Sequence, residues 1–548
     1  MRLSVWWKPL ALCCALAFPL AACSDDAEEE GLKEIRFAEP GPLVLESGKG
    51  SFAFGAATAA TQIEDQNTRT DWYFWSDSVE NGGKGQGKDH VGDAVGTFSN
   101  PELDLALIQE LGLDDYRFSI EWARIEPERD VIDEAALQHY SDFIDALIEM
   151  GVRPSVTIHH FSNPIWVVGE NMDCGEEGPT DENLCGWDHP EGVELIIEEL
   201  AEHAALLAER FGDRVDNWVT FNEPVNYIIA SYGAGYFPPG RSHLISSIGK
   251  PPTSEAFQSL VGLFRNFLKA HVAVYDAIHA NDTVDATQDG RSADVGMTLN
   301  TVEWKAARNG AWSDRELDLA AAVRIKYLYH HLLVDALLEG NFDPALTGEG
   351  DEPHPDWEGK LDWLGIQYYF HAGVTGKPAI IPSLDLMICH RPFDFGACVP
   401  QSSGMNKWIP SMGYEYDEVG LYTILSEFSA RYPDLPLVVT EAGIAANNGR
   451  RRAENIVRSF EQMERAMAEG ADIRGYYHWS LTDNFEWHEG YGARFGLYSV
   501  NLDTFERTPS LGAKVYRDII AARAVTVEQR EEYGGVGPMT PETDTVTE

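Results

Sequence analysis

From about Ser51 the chain alternates two hydrophobic rhythms. Short runs of Val, Ile, Leu, Phe and Ala are apolar on both faces. Between them lie longer stretches in which apolar residues recur every three or four positions. The first rhythm is that of a strand buried on both sides, the second that of a helix packed along one stripe. Runs at residues 52–58, 115–120, 153–159, 216–222, 294–300, 362–369, 435–441 and 474–481 predict eight strands. Stretches at 101–111, 135–150 and 192–211 exemplify the helices between them. The alternation shows neither a short internal repeat nor a boundary within residues 51–523. It predicts the α/β class and a single (β/α)8 barrel of the TIM type, with loop insertions on the catalytic face.

In such a barrel, chemistry collects at the C-terminal strand ends. Gln62 follows the first strand, Arg117 lies on the second, and His160 follows the third. Asn222 and Glu223 end the fourth in the run VTFNEP, and Gln367, Tyr368 and Tyr369 end the sixth. Glu441 ends the seventh in LVVTEAG, and the segment from Trp479 to Trp487 follows the eighth. One glutamate at a strand end could be a satisfied salt-bridge partner. Two, each delivered by a β-branched run, equip a barrel for glycosidic-bond cleavage.

Composition narrows the partners. The chain has 548 residues, 44% of them apolar and 11% aromatic, as a folded protein should. Its 15 tryptophans include candidates for flat platforms under sugar rings, although most must serve the core. Against 89 acidic residues stand 41 basic ones, giving a net charge of −48. Nucleic acid and other polyanions would be repelled. A surface this acidic also suits saline surroundings, where screening relieves self-repulsion.

The first residues form a targeting segment. Arg2 and Lys8 precede an apolar run at 9–20, too short to span a bilayer. It ends in Leu20-Ala21-Ala22-Cys23-Ser24, which resembles a bacterial lipobox. That resemblance implies a signal peptide at 1–22, lipidation of Cys23 and a place in the cell envelope, at the outer membrane or in the periplasm. A plain secretory signal is the alternative. Residues 23–50 read as a flexible acidic tether, and 524–548, acidic with Gly, Pro and Thr, as a disordered tail. Cys174, Cys185, Cys389 and Cys398 fall into two close pairs, and an oxidising compartment favours the bridges 174–185 and 389–398. A zinc site made by all four thiolates is the alternative, but no CxxC spacing supports it.

Six segments, in order, resemble glycoside hydrolase family 1, the β-glucosidase family. They are FGAATAATQIE at 54–64, YRFSIEWARIEP at 116–127, VTFNEP at 219–224, LDWLGIQYY at 361–369, VVTEAG at 438–443 and WSLTDNFEWHEGYGARFGLYSV at 479–500. The resemblance implies a retaining exo-β-glycosidase that releases terminal glucose, galactose or fucose. Glu223 matches the family acid/base and Glu441 the nucleophile. Arg117 and Tyr369 match residues that support the nucleophile. Gln62, His160, Asn222, Glu486 and Trp487 match residues that hold the sugar's hydroxyls, and Trp479 the floor of that subsite. A carboxylate at 486 would repel a 6-phosphate, which disfavours phosphorylated glycosides. No metal or organic cofactor is implied, and His90 and His488 read as surface or subsite residues. Oligomeric state is not legible.

The chemistry gives its own reasons for these roles. A retaining mechanism needs two carboxyls about 5–5.5 Å apart, one protonated and one ionised. Arg117 would keep Glu441 ionised, and the charge of Glu441 would raise Glu223. Four positions depart from the family pattern: Ala442 for Asn after the nucleophile, Gln367 for Asn, Thr61 for an aromatic and Phe161 for Trp. Both cysteine pairs fall on the catalytic face, where they would shape the leaving-group site or simply staple exposed loops. A transglycosidase and a non-catalytic glycan-binding lipoprotein are the competing functions. The second would require loss of one glutamate, and both are present.

Overall fold

The structure is a computed structural model that describes residues 31–546 except 177, 391–392, 395–398, 401 and 403. Eight strands build the barrel: β1 Ala53–Ala57, β2 Asp115–Ser119, β3 Arg153–His159, β4 Asn217–Asn222, β5 Asp294–Arg308, β6 Trp363–Gly376, β7 Leu437–Ala442 and β8 Ile473–Trp479. Each pairs in parallel with the next, and β8 returns to β1, so the sheet closes. Around it run α1 Pro101–Leu111, α2 Glu134–Glu149, α3 Gly192–Phe211, α4 Glu255–Asn281, α5 Glu316–Lys326, α6 Glu418–Arg431, α7 Gly449–Ala468 and α8 Leu511–Ala522. The eight predicted strands are therefore present, in the predicted topology.

Local chemistry explains the elements. In α2 the Asp133 carboxylate caps the amides of Ala135 and Ala136, and Leu137, Tyr140, Ile144 and Leu147 form its buried stripe. Such a cap contributes about 1 kcal/mol. Pro101 opens α1, and Gly112, at φ 69°, ends it in the left-handed conformation that glycine adopts without steric cost. On β1, Gly55 cannot be larger, because a Cβ there would lie 2.4 Å from the Tyr477 ring. The barrel floor is polar but paired: Asp115 accepts from Arg153 at 2.6 Å and from the Tyr477 hydroxyl at 2.7 Å.

The structure lengthens or corrects several expectations. Strands β5 and β6 run past the barrel rim together, with Gly373 beside Lys305 and Val374 beside Ala306. The tether was expected to be flexible through residue 50, but its second half is built into the domain. Ile35–Arg36 pairs with Ala524–Val525, and Phe37 packs on Phe52, Phe54 and Phe460. Likewise the segment expected to be a disordered tail is ordered through residue 546. It forms α9, Val527–Tyr533, and then an extended run along α7. Composition could not show this, because buried charged groups of α7, rather than an apolar stripe, hold that run.

Cys174 and Cys185 form the expected disulfide, which removes the four-thiolate zinc alternative. Cys389 is disulfide-bonded; Cys398, its expected partner, lies outside the described residues, as do Cys23 and the signal segment. No helix among the described residues is long and apolar enough to cross a membrane.

Candidate active site

The loops after the strands surround one buried polar cluster at the C-terminal mouth of the barrel. Glu441, at the end of β7, is 4% exposed and held by two donors. Arg117 on β2 gives Nη1 to its Oε1 at 2.6 Å, and the Tyr369 hydroxyl on β6 donates to its Oε2 at 2.6 Å. Arg117 is itself fully buried, so removing either partner would strand a charge at about 3–5 kcal/mol. Across the cluster, Glu223 follows β4 with φ 43°, a strained left-handed backbone that aims its side chain inward. Asn226, one helical turn on, donates to its Oε2 at 2.8 Å.

The two carboxyls differ in their surroundings. Burial and then the charge of Glu441 push Glu223 well above the ordinary carboxylate range. Burial raises Glu441 too, but the Arg117 charge and hydrogen bonds from Tyr369 and Arg117 oppose it. A single proton shared between them therefore resides on Glu223.

Asn222 is the hub beside them. Its Oδ1 accepts from Arg117 Nη2 at 2.6 Å, Gln367 Nε2 at 2.8 Å and Thr298 Oγ1 at 3.0 Å. These bonds turn its amide NH2 toward the site, where it can donate to a sugar hydroxyl. Gln367, the departure from Asn, does reach its partners despite the extra methylene, and register sets it directly opposite Glu441. Replacing Gln367 by Ala should release the Asn222 amide and lower kcat/KM roughly tenfold for substrates with a free 2-hydroxyl. The 2-deoxy analogues should change little; equal losses on both would mean that Gln367 does not act through Asn222.

The sugar-facing wall comes from the loop after β8. Gln62 Nε2 donates to Phe485 O at 2.8 Å and Asn484 Oδ1 at 3.2 Å, leaving its buried Oε1 without a protein partner. Glu486 lies next to Gln62, and burial with the nearby Glu441 charge raises its pKa to about 8. Trp479 hydrogen-bonds Glu486, and Trp479 and Trp487 flank the His160 ring with their planes tilted by only 27°. Burial and the Arg117 charge keep His160 neutral, with Nδ1 unpaired. All ten residues expected at the site, namely Gln62, Arg117, His160, Asn222, Glu223, Tyr369, Glu441, Trp479, Glu486 and Trp487, thus lie in one neighbourhood.

The other departures also find places. The Thr61 hydroxyl donates to Glu121 at 2.6 Å, and Phe161 packs on Trp487 and Phe237. Ala442, buried beside His478, offers no side-chain amide next to the nucleophile. Sequence reading missed Asn226, Thr298, Asn484 and Tyr414. Tyr414 stacks on Phe370 at 4.3 Å, and the charges of Glu486 and Glu223 both act on its hydroxyl. Only Asn226 left a local signal, a polar side chain three residues after Glu223 on the helix that Pro224 starts.

Comparison with known proteins agrees with this geometry. The profile described as Glycosyl hydrolase family 1 matches residues 46–525. A curated β-galactosidase of Pyrococcus woesei is 29% identical over 526 residues, covering 88% of this chain and 98% of the relative. Beta-glucosidase 47 of Arabidopsis thaliana is 27% identical over 502 residues, covering 86% and 84%. Among solved structures, a β-glycosidase from Pyrococcus horikoshii superposes with TM-score 0.70 at 28% identity, covering 90% of this chain and 98% of that one. A family 1 β-glucosidase from Thermotoga maritima gives 0.69 at 25% identity, covering 86% and 98%. With its closed barrel, its two unequal glutamates and a profile match over most of its length, the chain belongs to glycosyl hydrolase family 1.

Proposed function

We propose that the protein is a retaining exo-β-glycosidase that removes a terminal neutral sugar, glucose, galactose or fucose in configuration, from oligosaccharides or simple glycosides. The observation that carries this reading is the unequal pair: Glu441 clamped by Arg117 and Tyr369, and Glu223 raised by burial and by Glu441. In the first step Glu441 attacks the anomeric carbon, the glycosidic C–O bond breaks, and Glu223 passes its proton to the departing oxygen. A glycosyl ester forms, and the charge that raised Glu223 is gone. Glu223, now a carboxylate, takes a proton from water, whose oxygen attacks the same carbon and releases Glu441 as a carboxylate. Two inversions give net retention. Glu486, buried beside Trp479 and Gln62, is placed to hydrogen-bond neutral sugar hydroxyls, which supports an unphosphorylated ring.

Proton NMR of the first product tests this directly. The β-anomer should accumulate before mutarotation; initial α-anomer would refute retention.

The same reading places the enzyme outside the cytoplasm, lipid-anchored through Cys23, trimming glycans at the cell envelope. The support is the lipobox-like segment and the extracytoplasmic habit of disulfides. In cells carrying the full chain, the protein should enter the detergent phase on Triton X-114 partition, and Cys23→Ser should move it to the aqueous phase. Aqueous partition of the unaltered protein would rule the anchor out.

A further inference from the structure

The family match ends at residue 525, yet the chain continues in order to residue 546. A capping box of Thr526 and Gln529 starts α9, and Arg530 and the Gly535 amide both bind Glu461 on α7. Beyond α9 the backbone is bound by buried side chains of α7. Arg458 donates to Gly537 O at 2.9 Å and Pro538 O at 3.2 Å. Glu454 accepts from the Thr540 amide at 2.9 Å and its hydroxyl at 2.6 Å.

This segment also grips two loops of the catalytic face. On the β6–α6 loop, the Met539 amide donates to Met405 O at 2.9 Å and Asn406 Nδ2 to Met539 O at 3.1 Å. Arg451, 1% exposed, ties both sides together: its Nη1 donates to Asn406 O at 2.6 Å and Thr540 O at 2.9 Å, and its Nη2 to Trp408 O at 3.3 Å. On the β7–α7 loop, which follows the nucleophile, Asn447 binds Glu542 and Thr543, and Asn448 binds Pro541.

The gripped part of the β6–α6 loop is the base of a hairpin, Trp408–Ile409 with Tyr414–Glu415. That hairpin stacks Tyr414 on Phe370, the residue after Tyr369, where the charges of Glu486 and Glu223 both reach its hydroxyl. We propose that residues 526–546 are a brace that determines leaving-group specificity by fixing the Tyr414 hairpin against α7. Residues in the brace are positioning residues; none touches the reacting atoms. The inference rests on the glycosidase reading.

Comparing β-glucosyl fluoride with cellobiose tests it, with the galactosyl pair run alongside. Fluoride departs without filling the leaving-group site, so it reports only the chemistry of Glu441 and its surroundings. Truncation after Tyr533 should leave kcat/KM for the fluoride within about twofold and lower that for cellobiose tenfold or more, mainly through KM. Adding a synthetic peptide of residues 534–546 should restore part of the loss. Because truncation strips carbonyl partners from buried Arg451 and Arg458, the double variant Asn406→Ala, Met539→Ala gives a milder form of the same comparison. Parallel losses on both substrates would show a brace for stability alone and overturn the proposal, as would unchanged cellobiose kinetics in the double variant. A parent protein inactive on both fluorides would instead overturn the glycosidase reading beneath it.

Discussion

Replacing Glu441 with Ala should lower kcat/KM by about 10⁵-fold or more, the scale on which loss of a nucleophile acts when the remaining groups depend on it. Arg117 and Tyr369 cannot compensate, since their bonds hold and ionise that carboxylate rather than react, and Asn222 bonds Arg117 and not the carboxylate. Two further results should accompany the loss. First, a small anion such as formate or azide, entering the space left by the carboxylate beside Arg117, should restore part of the activity toward a reactive glycosyl fluoride and leave an α-configured product, because only one inversion remains. Second, removing the Glu441 charge should let the pKa of Glu223 fall, which carboxyl titration by NMR would follow. Retained activity in Glu441→Ala would assign the nucleophile elsewhere.

The second large effect belongs to Glu223→Gln and depends on the leaving group. A disaccharide, whose departing alkoxide needs a proton, should lose about 10³–10⁴-fold in kcat/KM. A dinitrophenyl glycoside, whose leaving group departs as an anion, should form the glycosyl ester at nearly the parental rate and then accumulate it, because no base remains to activate water. The pH profile follows from the same residue. Glu223 acts first as an acid and its pKa is raised, so the parent stays active through neutral pH and loses kcat/KM as pH climbs through that pKa. On the acidic side kcat/KM falls as Glu441 becomes protonated. With the dinitrophenyl substrate Glu223→Gln should abolish the alkaline limb and keep the acidic one. An alkaline limb that persists in the variant would point to another acid.

Much of this site was legible because barrel strands deliver their chemistry at predictable places. Glu223, Glu441, Arg117 and Asn222 lie at or next to the ends of runs whose apolar pattern marks them as buried strands, and the closed sheet then brings those ends together. The predicted ends of β5 and β6 at Asn300 and Tyr369 fell short of Arg308 and Gly376. The two strands leave the barrel as a pair there, and pairing partners are not written in either strand alone. Thr298 and Asn484 escaped notice for a similar reason: each is defined by the side chain it meets, Asn222 in one case and Gln62 in the other. The brace was hidden by its composition. An acidic segment with Gly, Pro and Thr reads as solvated, and only the buried arginines and glutamate of α7 reveal that its carbonyls and amides have partners. The run Arg450-Arg451-Arg452 with Arg458 on α7 was the available hint, four cations with the single carboxylate of Glu454 between them.

The most direct test of the account is mass spectrometry of the mature domain after exposure to an activated 2-deoxy-2-fluoro-β-glucoside, with the galactoside in parallel. Fluorine slows breakdown of the glycosyl ester more than its formation, so the intermediate should be trapped. The account predicts one fluorosugar on the protein, mapped by peptide fragmentation to Glu441. No adduct from either sugar, or an adduct on any other residue, would contradict it.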